Sequence, residues 1–294
     1  MSPKKQVTAK EPLIERVAEM AMDLSRPYLA DYGAVRSRHD FTQRQLMTCL
    51  ILKAYLKTTY RGVVEILAIS PQLQQRLGME GKLPHYTTLQ KFSERSQVVA
   101  IAHKLIGAIT QRVAGPESRE AAAMDSTGMT FNMASDYFRI RSGKGSVRKW
   151  VKISVVVLCG SLLPTALLVN MGPSSEYQQA PALLAQAQAV SRPERLYADA
   201  GYDAEWIHQE CRQQWGVESV IKPVQRRADG TRRGKWRAQM TDQYLQQRGY
   251  GKRWAVESFF SGLKRTMGSV LSARRPKQML AEATFRVLAY ALRR

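Results

Sequence analysis

The sequence has 294 residues, of which 44% are hydrophobic, so it is long enough for one large domain or two ordinary ones with a packed core. It carries 45 Lys and Arg residues against 24 Asp and Glu residues, and the formal charge of +21 points to a polyanionic partner such as DNA, RNA or an anionic membrane surface. The longest apolar run, residues 153–168, is interrupted by Gly160 and Pro164 and falls short of the ~20 residues that a spanning helix needs, which disfavours a membrane protein.

The cysteines and the N-terminus indicate the compartment. Cys49, Cys159 and Cys211 are far apart and odd in number, which disfavours both a disulfide framework and a zinc site. Residues 1–10 are polar and basic and lack the apolar stretch of a secretory signal. We therefore expect a cytoplasmic, nucleoid-associated protein.

Residues 11–112 have the apolar spacing of helices throughout. Leu13, Val17 and Leu24 follow that spacing, and a second helix is expected after the start signal Asp40-Phe41-Thr42. A short helix over residues 62–68 and a longer one opened by Thr87 or Thr88 follow. The pattern predicts an all-α N-terminal DNA-binding region over residues 1–113, with a helix-turn-helix around residues 60–95. A plain helical cap would give the same pattern.

The linker at residues 114–118 marks a boundary, after which strands alternate with helices. An apolar run ends at Asp125, and the runs 151–158 and 162–169 predict a hairpin. A helix from Ser174 or Ser175 to about residue 189, a strand over 195–198 that ends at Asp199, a helix to about 214 and a strand over 217–221 complete the series.

The last third of the chain predicts a polar and basic insertion and two more helices. The insertion, residues 223–248, is irregular, and helices are expected over residues 250–268 and 276–292. Three sequential strands followed by alternation predict an α/β domain over residues 118–272, with an RNase H-like mixed sheet flanked by helices. A C-terminal helical segment covers residues 273–294.

Two aspartates lie at the ends of predicted strands. If the strands that precede Asp125 and Asp199 are neighbours, both carboxylates emerge at one edge of the sheet, where they repel each other unless a cation lies between them. Carboxylate oxygens suit Mg²⁺ or Mn²⁺. The alternative is that both are ordinary turn residues. Asp136 and Asp203 are rival candidates, and we interpret Asp203 as a helix cap.

The predicted helix over residues 250–268 has two distinct faces. At 100° per residue, Tyr250, Arg253, Glu257 and Lys264 fall within an arc of about 60°. The apolar side chains fall in a separate arc. Glu257 is the only acid on this helix. An ordinary i,i+4 pair with Arg253 explains one contact of this face but not its other basic residues.

With this charged face, the sequence resembles the bacterial insertion-element DDE transposases, whose signature is Y-(2)-R-(3)-E-(6)-K. The four residues of the charged face match that spacing without a gap. The acidic motifs Met124-Asp125-Ser126-Thr127 and Tyr197-Ala198-Asp199-Ala200-Gly201-Tyr202 also fit. The likeness covers about residues 121–275, and residues 83–89 look like the helical leader of that family.

The resemblance implies an RNase H-like catalytic domain that uses Mg²⁺ and recognises terminal inverted repeats. We expect Asp125, Asp199 and Glu257 to be the catalytic and metal-binding residues. Our hypothesis is that they hold two Mg²⁺ ions, which Mn²⁺ can replace, about 4 Å apart, with Asp125 shared between them. Water would free a 3′-OH at the element end, and that 3′-OH would attack target DNA. Whether hairpin intermediates form stays open, because the insertion is short.

Nine residues are predicted to contact DNA because they lie on the charged face of the helix, beside it, or in two basic segments, residues 139–152 and 226–237. They are Tyr250, Arg253, Lys264, Lys252, Arg265, Lys149, Lys152, Arg232 and Arg233. Solvated flexible loops are the alternative for the two segments. Joining two DNA ends requires a homodimer at some stage. The rival functions are an RNase H-like nuclease without strand transfer and a non-catalytic, transposase-derived DNA-binding protein.

Overall fold

The structure is a computed structural model that describes residues 11–34, 36, 38–115, 118–131, 150–225 and 232–294. Its contacts divide the chain into two units, Met1–Phe92 with Arg293 and Ser93–Leu292 with Arg294. The N-terminal region was predicted to end at residue 113, which is C-terminal to the observed boundary between Phe92 and Ser93. The reason is that the long helix before residue 115 packs on the sheet of the second unit.

The first unit is helical over its described residues, as the sequence predicts. Thr42 caps the second helix through a reciprocal capping box with Gln45, which accounts for the start signal read in the sequence. Apolar side chains of α1 pack against α2 and α4. The helices are α1 (Leu13–Ser25), α2 (Gln43–Tyr55), α3 (Tyr60–Ala68), α4 (Pro71–Leu77) and α5 (Tyr86–Ser93).

The second unit contains, within the described residues, a mixed sheet of six strands. Strand order is β3-β2-β1-β4-β5; β2 is antiparallel to β1 and β3, whereas β4 and β5 run parallel to β1. This arrangement confirms the predicted fold class. The strands are β1 (Ala122–Phe131), β2 (Val151–Leu158), β3 (Pro164–Met171), β4 (Arg195–Ala198), β5 (Glu218–Ile221) and β6 (Val270–Leu271). The short β6, which pairs in parallel with the last two residues of β1, was not predicted.

Helices flank this sheet. The apolar side chains of α7 pack on β2 and β3, and α6 packs on β3 and α7, whereas α10 packs on β1 and β2. The helices are α6 (Ser96–Ala114), α7 (Glu176–Val190), α8 (Glu205–Gln209), α9 (Asp242–Gln247), α10 (Trp254–Met267) and α11 (Pro276–Arg293). In the described part of the chain, no helix is long and apolar enough to span a membrane.

The interpretation of Asp203 as a helix cap is wrong. The N-cap of α8 is Ala204, and Asp203 is buried in a bidentate pair with Arg237, at 2.7 Å from both Nε and Nη2. A buried carboxylate requires such a partner because burial removes its water. The pair joins Arg237 of the insertion to the turn between β4 and α8. The insertion is also less irregular than predicted, since it contains α9, which Thr241 caps.

Candidate active site

β1 places its alternate side chains on opposite faces of the sheet. Ala122 and Met124 face the core beneath α7, whereas Asp125 and Thr127 contact side chains of the segment that leads into and forms α10. Asp125 lies within β1 and not at its end, which corrects the predicted position. It still emerges at an open edge, because β4 pairs with β1 only as far as Met124.

Asp199 directly follows β4, so it lies beside Asp125 at the edge where the two parallel strands separate. Its Oδ1 accepts a hydrogen bond from the backbone N–H of Gly201 at 2.9 Å. Tyr250 reaches the same place, since its hydroxyl donates to the carbonyl of Ala198 at 3.1 Å. The turn before α10 is thereby fixed to the end of β4.

The predicted helix over residues 250–268 forms in two parts. Tyr250–Arg253 is a 3₁₀ turn and Trp254–Met267 is α-helical. A 3₁₀ turn at a helix start is common because it satisfies the first backbone groups. The apolar face is buried as predicted, and Glu257 is on the opposite face with 56% of its side chain exposed.

Arg253 links two of the three candidate acids. Its Nη1 donates to Asp125 Oδ2 at 3.0 Å and its Nη2 donates to Glu257 Oε1. The guanidinium therefore lies between the two carboxylates and offsets part of their charge. Lys264, further along α10, donates to Thr127 Oγ1 at 2.7 Å. Three residues of the charged face thus contact β1 or each other.

The carboxylates at this edge are electrostatically crowded. The pKa of Asp125 is raised to about 6, first by burial and then by the negative charges of Asp199 and Glu176, while the Ser126 N–H and Arg253 oppose the shift. The pKa of Asp199 is also raised, first by burial and then by Glu176. Burial raises the pKa of Tyr250 to about 12. A cation at this edge would relieve the repulsion.

Glu176 was not predicted as part of the site. It accepts hydrogen bonds from Ser126 Oγ at 2.7 Å and Lys152 Nζ at 2.8 Å. Burial opposes its ionisation, but the hydrogen bonds from Lys152 and Ser126 hold its pKa below the usual value. In the sequence it is an acid at the start of a helix, a common position without functional meaning.

The candidate ligands suit a magnesium or manganese ion by type, because Asp125, Asp199 and Glu257 offer carboxylate oxygens. The guanidinium of Arg253 is a cation that already contacts two of them. Within the residues that the structure describes, no three Asp, Glu, His or Cys side chains are grouped closely enough to hold a metal ion. The exposed side chain of Glu257 would have to turn away from Arg253 to complete such a site.

The other predicted DNA contacts differ in accessibility. Lys252, Arg265 and Arg233 are exposed. Arg232 is partly buried and donates to the carbonyl of Met240 at 2.9 Å. The side chain of Lys152 is only 8% exposed and donates to Glu176 and the carbonyl of Ser174, which argues against the predicted phosphate contact. Lys149 lies outside the described residues.

Comparisons with known proteins bear on this site. A family model described as "Transposase DDE domain" matches residues 116–292, more than half of the chain. Among solved structures, the chain is similar to one described as "Cryo-EM structure of piggyBac transposase synaptic complex with hairpin DNA (SNHP)". The identity is 10%, the match covers 97% of this chain and 72% of that chain, and the TM-score is 0.48. No curated protein matches the sequence.

Proposed function

Because the chain belongs to the transposase DDE domain family, we propose that it cleaves DNA strands at the ends of a mobile element and joins the freed 3′-OH ends to target DNA. The observation that carries the proposal is that Asp125 and Asp199 follow paired positions of two neighbouring strands, with Arg253 in contact with both Asp125 and Glu257. These acids come from three separate segments of the chain, and Arg253 brings Glu257 next to Asp125, as an acid-dependent phosphodiester reaction would require.

We propose that Asp125, Asp199 and Glu257 hold two Mg²⁺ ions, with Mn²⁺ as a substitute. When bound, such ions activate water and stabilise the leaving oxygen of a phosphodiester. The crowding of Asp125, Asp199 and Glu176 supports this assignment, since buried carboxylates of like charge favour a cation.

Arg253 has two tasks in this proposal. Without DNA, its guanidinium offsets part of the charge of Asp125 and Glu257. With DNA, the same planar group is suited to bind a phosphate through two parallel hydrogen bonds. Glu257 would then be released to face the scissile bond. The hydroxyl of Tyr250 donates to the carbonyl of Ala198, the residue before Asp199. This contact holds the start of α10 at the end of β4.

Double-stranded DNA, both the terminal inverted repeats and the target, is the proposed partner. The formal charge of +21 supports it, because Lys and Arg release counterions from the phosphate backbone on binding. A homodimer in the complex that holds two ends, and a cytoplasmic, nucleoid-associated location, belong to the same proposal.

The test is a cleavage and joining assay. The purified protein is incubated with duplexes that carry the DNA flanking its coding region, a supercoiled target plasmid, and Mg²⁺ or a chelator. We expect Mg²⁺-dependent nicks that leave 3′-OH ends and products joined to the plasmid, both lost in Glu257→Gln. Cleavage without joining would indicate a nuclease, binding without cleavage a non-catalytic binder, and no binding would refute all three functions.

Lys264 provides a separate test of DNA contact. Its ammonium, on the face of α10 next to β1, is proposed to hold a phosphate beside the scissile bond. We expect Lys264→Ala to weaken binding and to reduce the slope of log affinity against log salt concentration by about one unit. Titrations at several salt concentrations measure this slope. Lys104→Ala, which removes an exposed charge from α6, serves as the control and should leave the slope unchanged.

A further inference from the structure

Glu176 is a carboxylate beside the proposed site that has no part in the mechanism above. It is the first residue of α7, and its Oε1 accepts hydrogen bonds from Ser126 and Lys152. The backbone N–H of Ser126 donates to Asp125 Oδ1 at 2.7 Å. Glu176 is therefore connected to Asp125 through a single residue.

The second oxygen of Glu176 faces the other aspartate. A Cβ built on Gly201 would overlap Oε2 of Glu176 and would lie 3.1 Å from Oδ1 of Asp199. The two carboxylates thus lie around the same glycine, which has no side chain to separate them. One side chain, Glu176, faces the segments of both Asp125 and Asp199.

The contacts of Glu176 lie on the face of β1 opposite those of Arg253. Ser126 points towards α7, and Asp125, one residue earlier in the strand, points towards α10. Asp125 is consequently held from two sides, by Arg253 on one face of the sheet and through Ser126 on the other.

Lys152 anchors this arrangement. It lies in the buried strand β2 opposite Gly128, and its ammonium donates to Glu176 Oε1 and to the carbonyl of Ser174 at 2.7 Å. A buried ammonium is costly unless it is paired. Lys152 therefore restricts Glu176 to the orientation in which it meets Ser126.

We propose that Glu176 is a positioning residue for strand cleavage, which fixes Asp125 and Asp199 relative to each other and is anchored by Lys152. This inference rests on the proposed function. It assigns to Glu176 an effect on the reaction that is distinct from the stability of its ion pair with Lys152.

Two sets of variants separate the two effects. Glu176→Gln leaves the buried ammonium without its counterion, so stability and cleavage should both fall. Glu176→Gln combined with Lys152→Met removes both charges and should recover most of the stability. Its cleavage rate should stay about 10- to 100-fold below that of the wild type, the usual loss when a group that orients metal ligands is removed.

Ser126→Ala, which keeps the ion pair, should reduce cleavage several-fold with little loss of stability.

The measurements are thermal unfolding, the cleavage rate as a function of Mn²⁺ concentration, and Mn²⁺ binding to the DNA-free protein by electron paramagnetic resonance. We expect weaker Mn²⁺ binding and a higher Mn²⁺ requirement in the double variant. Glu218→Gln is the matched control, because Glu218 is a paired, partly buried carboxylate. It is the first residue of β5, at the end of the sheet away from Asp199. This variant should lose stability but keep wild-type cleavage.

The outcomes distinguish this inference from the proposed function. If the wild type cleaves, and both Ser126→Ala and the double variant cleave and bind Mn²⁺ like it, Glu176 has only a structural role and the inference is overturned. If the wild type shows no metal-dependent cleavage, the proposed function fails first. The Mn²⁺ binding data then decide whether Glu176 still organises a cation site.

Discussion

Asparagine in place of Asp125 is expected to abolish strand cleavage and, in the metal-free protein, to increase the free energy of unfolding. The loss follows from the proposed role, since several kcal/mol of charge stabilisation correspond to a rate decrease of roughly 10³-fold or more. The increase in the free energy of unfolding follows from the close approach of carboxylates at this edge of the sheet. Asp125 carries a charge that is partly buried and close to Asp199 and Glu176, and asparagine keeps the shape without that charge.

The pH dependence fixes the sign of the stability change. The pKa of Asp125 is about 6 in the folded protein against a reference value of 3.8, so the folded state binds this proton more tightly than the unfolded state. Stability contributed by this group therefore falls as the pH rises between those two values and is fully lost above them. At pH 7 we expect Asp125→Asn to be more stable by about 1–3 kcal/mol, and the advantage should disappear below about pH 4.

Chemical denaturation of the two proteins at pH 4 and pH 7, in the presence of a chelator, measures this difference. Asp242→Asn, a change at an exposed acid in the first turn of α9, is the control and should stay within about 0.5 kcal/mol of the wild type. If Asp125→Asn cleaves DNA at a rate near that of the wild type, Asp125 is not in the active site. If it loses activity and also becomes less stable at pH 7, the crowding of charges is not what governs this edge.

Local patterns in the sequence predicted most of the elements of the fold. The β-branched run of β2, the apolar start of β1 before Asp125 and the short strand that ends at Ala198 follow from composition and turn residues. The spacing from Tyr250 to Lys264 placed a charged face on α10 because the helical repeat is fixed. These features depend only on neighbours in sequence, and the mixed character of the sheet then followed from the order of the elements.

The contacts that the sequence did not reveal join residues far apart in the chain. Lys152 in a basic segment was predicted to face DNA, but its strand is central in the sheet, and the side chain points into the protein towards Glu176. Arg253 was predicted to hold a phosphate, yet without DNA it contacts Asp125, a residue of β1 that is distant in the sequence. Such partners are set by the packing of α7 and α10 on opposite faces of the sheet, which no spacing rule encodes.

The second large effect is expected at the buried pair of Asp203 and Arg237. The side chain of Asp203 is fully buried and that of Arg237 is 8% exposed, so neither group has access to water when its partner is removed. We expect Asp203→Asn to lower the free energy of unfolding by about 3–5 kcal/mol, the usual cost of breaking a buried ion pair on one side. For a unit of this size the melting temperature should fall by roughly 6–20 °C, as measured by calorimetry.

Two controls show whether burial of the charge is responsible. Glu194→Gln interrupts an exposed pair with Arg195 in the same unit and should cost less than about 1 kcal/mol. Asp203→Asn combined with Arg237→Met removes the remaining buried charge and should recover most of the loss. Because Arg237 also donates to the carbonyl of Arg233, the single variant should loosen the insertion and weaken DNA binding even below its melting temperature. A double variant as unstable as the single one would mean that the hydrogen bond from the backbone N–H of Val224 to the Asp203 carboxylate, and not the ion pair, holds the insertion in place.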